Sequence, residues 1–265
     1  MAKKTNNQRR VQTLNVLRNV IENYLKSYSG DVFSNERDLQ LHLSCELKNK
    51  GYNVKVEYYV PRQAFDITQP LLPNKYVWDN DMKLDIVVKV EEEFYIIELK
   101  YKTRSIIAQI DRFVEFHVMD FQRQNSLNVQ IVKNQGAQNF ARYDFWKDVR
   151  RIELSQARFK NVKGGLAIFV TNDTSYLRAP NANAKCVNFS MEDNKSHSIG
   201  KHWNGTTVQN RPDFDVNSIY TTDWKHMGTA GTNGKMSPCL VNGCKGCNSA
   251  TGTNNDFFYC IVEIP

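Results

Sequence analysis

At 265 residues, with 41% hydrophobic and 24% charged content, the chain has the make-up of a globular protein with a real core, either one large domain or a core carrying a substantial elaboration. The formal net charge of +7, with a pI near 9.0, suits a polyanionic partner better than an acidic-surface role. Six cysteines in this length do not make a disulfide scaffold and fit a reducing compartment. No apolar run reaches the ~18 residues of a membrane span, and Met1-Ala2-Lys3-Lys4 leads into polar residues rather than an apolar signal core, so a cytoplasmic protein with no membrane partner is expected.

Residues 8–28 carry Val11, Leu14, Leu17, Ile21, Tyr24, Leu25 and Tyr28 at helical spacing, with Arg9, Arg10 and Arg18 on the wet side and Gly30 as the stop. A second helix is predicted from an N-cap at Ser34 or Asn35 to about Asn49, closed by Gly51. Glu36 falls within its stripe of Leu39, Leu43 and Leu47, whereas Asp38 lies opposite and Glu46 at the stripe's edge. An acid in an inward stripe is a candidate site residue; equally, a first-turn glutamate favours the positive end of the helix dipole. Tyr52–Val60 alternates as a strand ended by Pro61, and residues 61–81, with Pro61, Pro70 and Pro73, read as a loop.

Residues 82–102 form the informative stretch. Two β-branched and aromatic runs, Met82–Val90 and Phe94–Lys100, flank Glu91-Glu92-Glu93 and predict a hairpin. A turn centred on Glu91 and Glu92 sets Asp85 opposite Glu98, and the strand's period of two puts Lys100 on the same face as Glu98. Carboxylates and an ammonium inside apolar strands are costly unless compensated. A divalent cation held by the two acids, with the lysine aimed at its ligand, would compensate them.

Tyr101-Lys102-Thr103-Arg104 then gives a short basic stretch. A helix is expected over Ser105–Arg123, with Ile106, Ile110, Phe113, Val114, His117 and Phe121 on one face and His117 as a packing histidine. A polar loop at 124–138 and a helix from about Asn139 to Phe159 follow, the helix ending in a basic cluster. Gly164-Gly165 should turn into Leu166–Val170, a continuously apolar central strand. Residues 172–256 shift towards Asn, Thr, Gly and Ser before the strand-like run Phe257–Val262. The expected organisation is a core over 1–171, a polar, loop-rich insertion over 172–256, and a terminal strand within 257–265 that returns to the core.

Cys239, Cys244, Cys247 and Cys260 follow a C-x4-C-x2-C…C pattern that can hold zinc or an iron–sulfur cluster. The alternative is a glycine turn around Cys244 and Cys247, with Cys260 a buried hydrophobe in its strand. His197, His202 and His226 are further candidate zinc ligands that nothing in the sequence fixes near the thiols.

An acidic helix, a strand, a hairpin carrying Asp85, the triplet Glu98-Leu99-Lys100 after twelve intervening residues, then a helix and a buried strand: this order, from about Glu36 to Val170, resembles the PD-(D/E)xK nuclease superfamily. Leu84 stands before Asp85 where the literal signature has proline. The resemblance implies an α/β restriction-endonuclease-like core, a central mixed β-sheet flanked by helices, and Mg²⁺-dependent cleavage of DNA in restriction, repair or defence, with Mn²⁺ able to substitute and RNA left open. It further implies Asp85, Glu98 and the Leu99 backbone carbonyl as metal ligands, Lys100 as the residue that positions or activates the attacking water, Glu36 as a contributor to the metal site, and Gln109 as an accessory contact. Tyr101, Lys102 and Arg104 would meet backbone phosphates. Cutting both strands of a duplex needs two such sites, which a homodimer would supply. The alternative is a non-catalytic nucleic-acid-binding or assembly module with the same fold.

Overall fold

The computed structural model describes residues 6–65, 81–110, 127–206, 208, 211–239 and 254–265. Helix α1 (Asn6–Ser27) is followed by α2 (Glu36–Asn49), which starts where both sequence and capping chemistry place it. The Asn35 side chain accepts the Asp38 amide at 3.0 Å, and the Asp38 carboxylate in turn accepts the Ser34 amide at 2.9 Å. Gly51, at φ +86°, supplies the left-handed residue just past the helix end.

The hairpin forms with the expected register. Strands β1 (Asn53–Val60) and β2 (Met82–Val90) are antiparallel, and β2 pairs with β3 (Glu93–Lys102) from Val90↔Glu93 to Ile86↔Ile97. Glu91 takes the left-handed conformation, φ +53°, in the two-residue turn. Strands β4 (Ile106–Ile110) and β5 (Leu127–Val132) make a separate antiparallel pair. Over Ile106–Ile110 a strand stands where the helix of Ser105–Arg123 is expected, and Leu127–Val132 is strand within the loop expected over 124–138. Ile106 and Ala108 are buried while Ile107 is 66% exposed, so the period at this point is two and not 3.6. Phe113, Val114, His117 and Phe121 lie outside the described residues.

Helix α3 (Gln138–Arg158) leads to β6 (Val162–Thr171), which lies parallel to β3 from Phe94↔Val162 to Lys102↔Thr171. Gly164 and Gly165 belong to β6 and do not form a turn before it. A Cβ on Gly165 would collide with the Ile96 carbonyl oxygen of β3 and come within 2.9 Å of an Ile152 methyl on α3. The glycine lets strand and helix approach.

Short strands β7 (Lys195–His197), β8 (Gly200–Lys201), β9 (Phe214–Asp215) and β10 (Tyr220–Thr222) precede β11 (Trp224–Ala230), β12 (Met236–Pro238) and β13 (Asp256–Ile264). The terminal strand returns as expected, antiparallel to β6. The central sheet has seven strands in the order β1-β2-β3-β6-β13-β11-β12, and its one parallel pair, β3 with β6, makes it mixed. Among the described residues there are three α-helices, and none is long and apolar enough to cross a membrane.

Two cores result. On one face, Leu14 and Leu17 of α1 and Leu39, Leu43 and Leu47 of α2 bury Tyr95, Ile97 and Leu99 of β3. On the other, Trp146, Val149 and Ile152 of α3 bury Ile96, Ala167 and Phe169. Residues 172–256 are more than a loop-rich insertion, because β11 and β12 belong to the central sheet and Phe189, Trp203 and Phe214 cluster on the outer side of α3 around Tyr143. Buried Glu153 ties them down, accepting the Asn217 amide at 2.6 Å and the Tyr220 hydroxyl at 2.8 Å.

Candidate functional site

The site arises where β2 leaves β3. Their ladder stops at Ile86↔Ile97, although β3 runs on beside β6 for five more residues and β2 stays with β1. The departure coincides with an irregularity: Glu57 and Asp85 are skipped in the β1–β2 pairing, and Glu57 adopts φ +50°. Gln40 of α2, 3% exposed, fixes the distortion by donating to the Asp85 carbonyl at 2.7 Å and to Glu57 Oε1 at 3.2 Å.

Beyond the departure, the amides of Leu99 and Tyr101 on the open side of β3 need other acceptors. The Asp85 carboxylate accepts from Leu99 at 2.7 Å, and the Glu36 carboxylate accepts from Tyr101 at 2.9 Å. The helix, the hairpin strand and β3 thus bring Glu36, Asp85, Glu98 and Lys100 to one end of the strand pair.

Alternation sends Glu98 and Lys100 to the α3 face, opposite Leu99 and Tyr101. Glu98 is 2% exposed; its Oε1 faces no donor, but its carboxyl lies within hydrogen-bond reach of the Asp85 carboxyl, so a proton on one can bond the other. Lys100 Nζ lies 2.5 Å from Asp148 Oδ2 of α3, close but outside hydrogen-bond alignment, and donates to the Leu99 carbonyl at 3.0 Å. Asp148 Oδ1 meets Arg151 Nη1 at 3.3 Å.

The electrostatics follow from acids and bases crowded together with little water: Asp85, Glu98 and Asp148 against Lys100 and Arg151, with Glu36, Asp144 and Lys147 within reach. Burial pushes the Asp85 carboxyl up to about 6, against the opposing pull of Lys100 and the Leu99 amide. Burial, then the charges of Asp148 and Asp85, raise Glu98 well above the ordinary carboxyl range. For Lys100, burial alone would lower the pKa, but Asp148, Glu36, Asp85 and Glu98 outweigh it and hold the ammonium well above its ordinary value. A surplus negative charge in such a volume is relieved by a proton or by a cation.

Among the described residues, no group of three or more His, Cys, Asp or Glu side chains is drawn together as a complete metal cage. The donor set that is present consists of oxygens: the unpartnered Glu98 Oε1, the Asp85 carboxylate and, if Lys100 releases it, the Leu99 carbonyl. Such a set suits Mg²⁺, which keeps several waters and takes one or two carboxylates plus substrate phosphate.

Several expected contributors fall elsewhere. Tyr101 cannot meet a phosphate: it is 1% exposed and its hydroxyl donates to the Phe33 carbonyl at 2.6 Å. Lys102 is half-buried, and Arg104 is paired with Asp173 at 2.9 Å while remaining 39% exposed. Gln109 sits on β4 rather than on a helix, with an exposed side chain and its amide bonded to the Thr232 carbonyl at 2.7 Å. Cys260 is fully buried on the α3 face of β13, where desolvation raises its thiol to about 12; Cys239 is half-buried, and Cys244 and Cys247 lie outside the described residues. His197 contacts Thr222, and His202 and His226 contact Asp215 and Asp256.

Asp148 and Gln40 escaped the sequence reading. Asp148 had a visible signal, since it shares the helical stripe of Phe145 and Ile152 as Glu36 shares that of Leu39 and Leu43. Gln40 had none, because a glutamine one residue past a core leucine is unremarkable on a helix. Compared with known proteins, the chain matches no family model, no curated protein and no solved structure.

Proposed function

We propose that the chain is a Mg²⁺-dependent nuclease with a restriction-endonuclease-like core, hydrolysing phosphodiester bonds of DNA in restriction, repair or defence. The observation that carries this reading is the buried pair of Glu98, whose Oε1 faces no donor, and Asp85, side by side where β2 and β3 part. Two carboxyls this close and this buried need a shared proton or a cation between them, and a cation site meets that need. Asp85 and Glu98 would hold the ion, and Glu36 would bound the site from α2. When bound, Mg²⁺ supplies charge stabilisation on the scissile phosphate and acidifies a water for in-line attack. Lys100 presents a charged donor that neutralises negative charge developing on the phosphoryl oxygens. Lys102, the last residue of β3, and Arg104, which remains 39% exposed beside Asp173, would offer cationic side chains to the nucleic-acid backbone.

A second reading, a non-catalytic nucleic-acid-binding module, is favoured by one observation: Asp85 and Glu36 already serve as caps for the Leu99 and Tyr101 amides. Incubation of purified protein with plasmid and single-stranded DNA in Mg²⁺ or Mn²⁺, with and without EDTA, separates the two. Chelator-sensitive cleavage that Lys100→Ala abolishes, with DNA binding retained, is the expected result. Binding without cleavage by the wild type supports the module. An RNA substrate in the same assay decides which sugar the site accepts.

A further inference from the structure

We propose that Asp148 is a positioning residue of this site: it holds the Lys100 ammonium on the α3 side and so keeps it off Asp85 and Glu98. The inference rests on the nuclease reading above and assigns a role to a helix that the hairpin motif does not include.

The geometry is specific. Lys100 extends from β3 on the same face as Glu98, two residues along the strand, so its flexible four-carbon stem can reach the Glu98 carboxylate. Its ammonium instead rests 2.5 Å from Asp148 Oδ2 and 3.0 Å from the Leu99 carbonyl. Asp148 is itself fixed: its side chain is 3% exposed, its second oxygen lies 3.3 Å from Arg151 Nη1, and it projects from the middle of α3 between the core residues Trp146 and Val149. Arg151 balances the charge that Lys100 alone does not.

Without the Asp148 charge, the acids left within electrostatic reach of Lys100 are Glu36, Asp85, Glu98 and, one turn earlier on α3, Asp144, which already faces Arg211 at 3.9 Å. An ammonium paired with Asp85 or Glu98 would occupy the oxygens that otherwise receive a divalent cation. Asp148 therefore separates two positive charges that compete for the same carboxylates. It acts chiefly by holding Lys100, while its charge also reaches the Glu98 carboxyl directly.

The coupling can be read without catalysis, by titrating Mn²⁺ or Mg²⁺ into wild type, Asp148→Asn, Lys100→Ala and the double variant by calorimetry, with DNA cleavage measured in parallel. Asp148→Asn is expected to weaken cation binding by about tenfold or more, the scale of losing an outer partner at a metal site. On the Lys100→Ala background, the same substitution should weaken cation binding clearly less than in the presence of Lys100, because the competing ammonium is gone and only the direct charge effect on Glu98 remains. Equal weakening on both backgrounds, or no weakening on either, overturns the inference while leaving the nuclease reading intact if the wild type binds the cation and cleaves. A wild type that binds no cation and cuts no DNA removes both. Should Asp148→Asn fail to fold, Asp148→Glu carries the test: it keeps the charge, and cation affinity within about threefold of wild type is expected, whereas a loss as large as that expected for Asn overturns the proposal.

Discussion

The Asp85 carboxylate accepts a hydrogen bond from the Leu99 amide at 2.7 Å, standing in for the ladder bond that β2 no longer supplies. An acceptor at that position is needed for the backbone; a charge is not. Asp85→Asn keeps an oxygen in place and removes a carboxylate whose pKa burial has raised, so at pH 7.5 it should match or exceed wild-type stability. Asp85→Ala orphans the amide and should cost about 1–2 kcal/mol. Urea unfolding of the three proteins checks this. An Asn variant as unstable as the Ala variant would show that the negative charge itself holds the strand end.

Gly165→Ala should be destabilising by about 1–3 kcal/mol, the usual cost of forcing an atom into a packed interior. The added Cβ has no free direction, because the Ile96 carbonyl stands in one and an Ile152 methyl, at 2.9 Å, in another. A shift in the urea midpoint measures the loss. A neutral substitution would mean that β6 moves away from β3 at little cost.

Glu153 is the point at which residues 172–256 are bound to α3. It is 2% exposed and accepts from Arg150 at 3.0 Å, from the Asn217 amide at 2.6 Å and from the Tyr220 hydroxyl at 2.8 Å. Glu153→Gln replaces one acceptor oxygen by a donor facing other donors, and about 2–4 kcal/mol should be lost. Limited proteolysis should then cut first within residues 190–222, while the hairpin of β2 and β3 stays protected. Simultaneous loss of both regions would instead indicate a single cooperative unit.

These features were unequally legible in the sequence. The hairpin could be read because Glu91 and Glu92 separate two β-branched runs, which fixes its register once the turn is placed. The start of α2 was legible in Ser34-Asn35, although the bond from the Asp38 carboxylate back to the Ser34 amide was not. Ile106 and Ile110, four residues apart, satisfy helical spacing, yet Ile107 and Gln109 alternate with buried Ile106 and Ala108 in a strand. Gly164-Gly165 looked like punctuation, whereas only the neighbouring Ile96 carbonyl and Ile152 explain why side chains are absent there. Tyr101 looked solvent-facing beside lysines, but an odd-numbered residue of β3 points at α2 and Phe33, away from the face of Glu98. Asp148 becomes part of the site only when α3 folds over β3, a contact between residues 48 positions apart that local pattern does not contain.

Lys201 offers a pH-dependent test outside the site. It is 0% exposed, donates to the Ser198 carbonyl at 2.7 Å and lies 3.8 Å over the Trp146 ring, and burial lowers its pKa to about 7 from 10.5. Between about pH 7 and 10.5 the unfolded chain holds this proton and the folded chain does not, so stability rises with pH across that window. Below pH 7 both states are protonated and the full penalty applies, at most about 5 kcal/mol from the displacement. Lys201→Met should therefore be more stable than wild type at pH 6, with the advantage shrinking towards pH 10. Chemical denaturation at four pH values measures it. A constant difference across the range would mean that Lys201 is not the group responsible.

Glu98→Gln isolates the observation on which the functional reading depends. The carboxyl is buried with no donor facing its Oε1, and burial together with Asp148 and Asp85 raises its pKa, so a neutral amide of the same shape relieves charge repulsion in the ion-free protein. Its stability without added metal should be equal to or greater than that of wild type. In the wild type, a cation at ten times its dissociation constant adds about 1.4 kcal/mol, or roughly 3–5 °C in melting temperature for a chain of this size. The variant should lose that response and its cleavage activity together, because the amide offers a weaker ligand and no charge. Differential scanning fluorimetry with 0, ~1 and ~10 mM Mg²⁺, a span around the affinity typical of carboxylate sites of low ligand count, gives the comparison. A Glu98→Gln protein stabilised by Mg²⁺ as strongly as the wild type would place the cation elsewhere and leave the buried glutamate to a structural role, in which case the amide should also be the less stable protein.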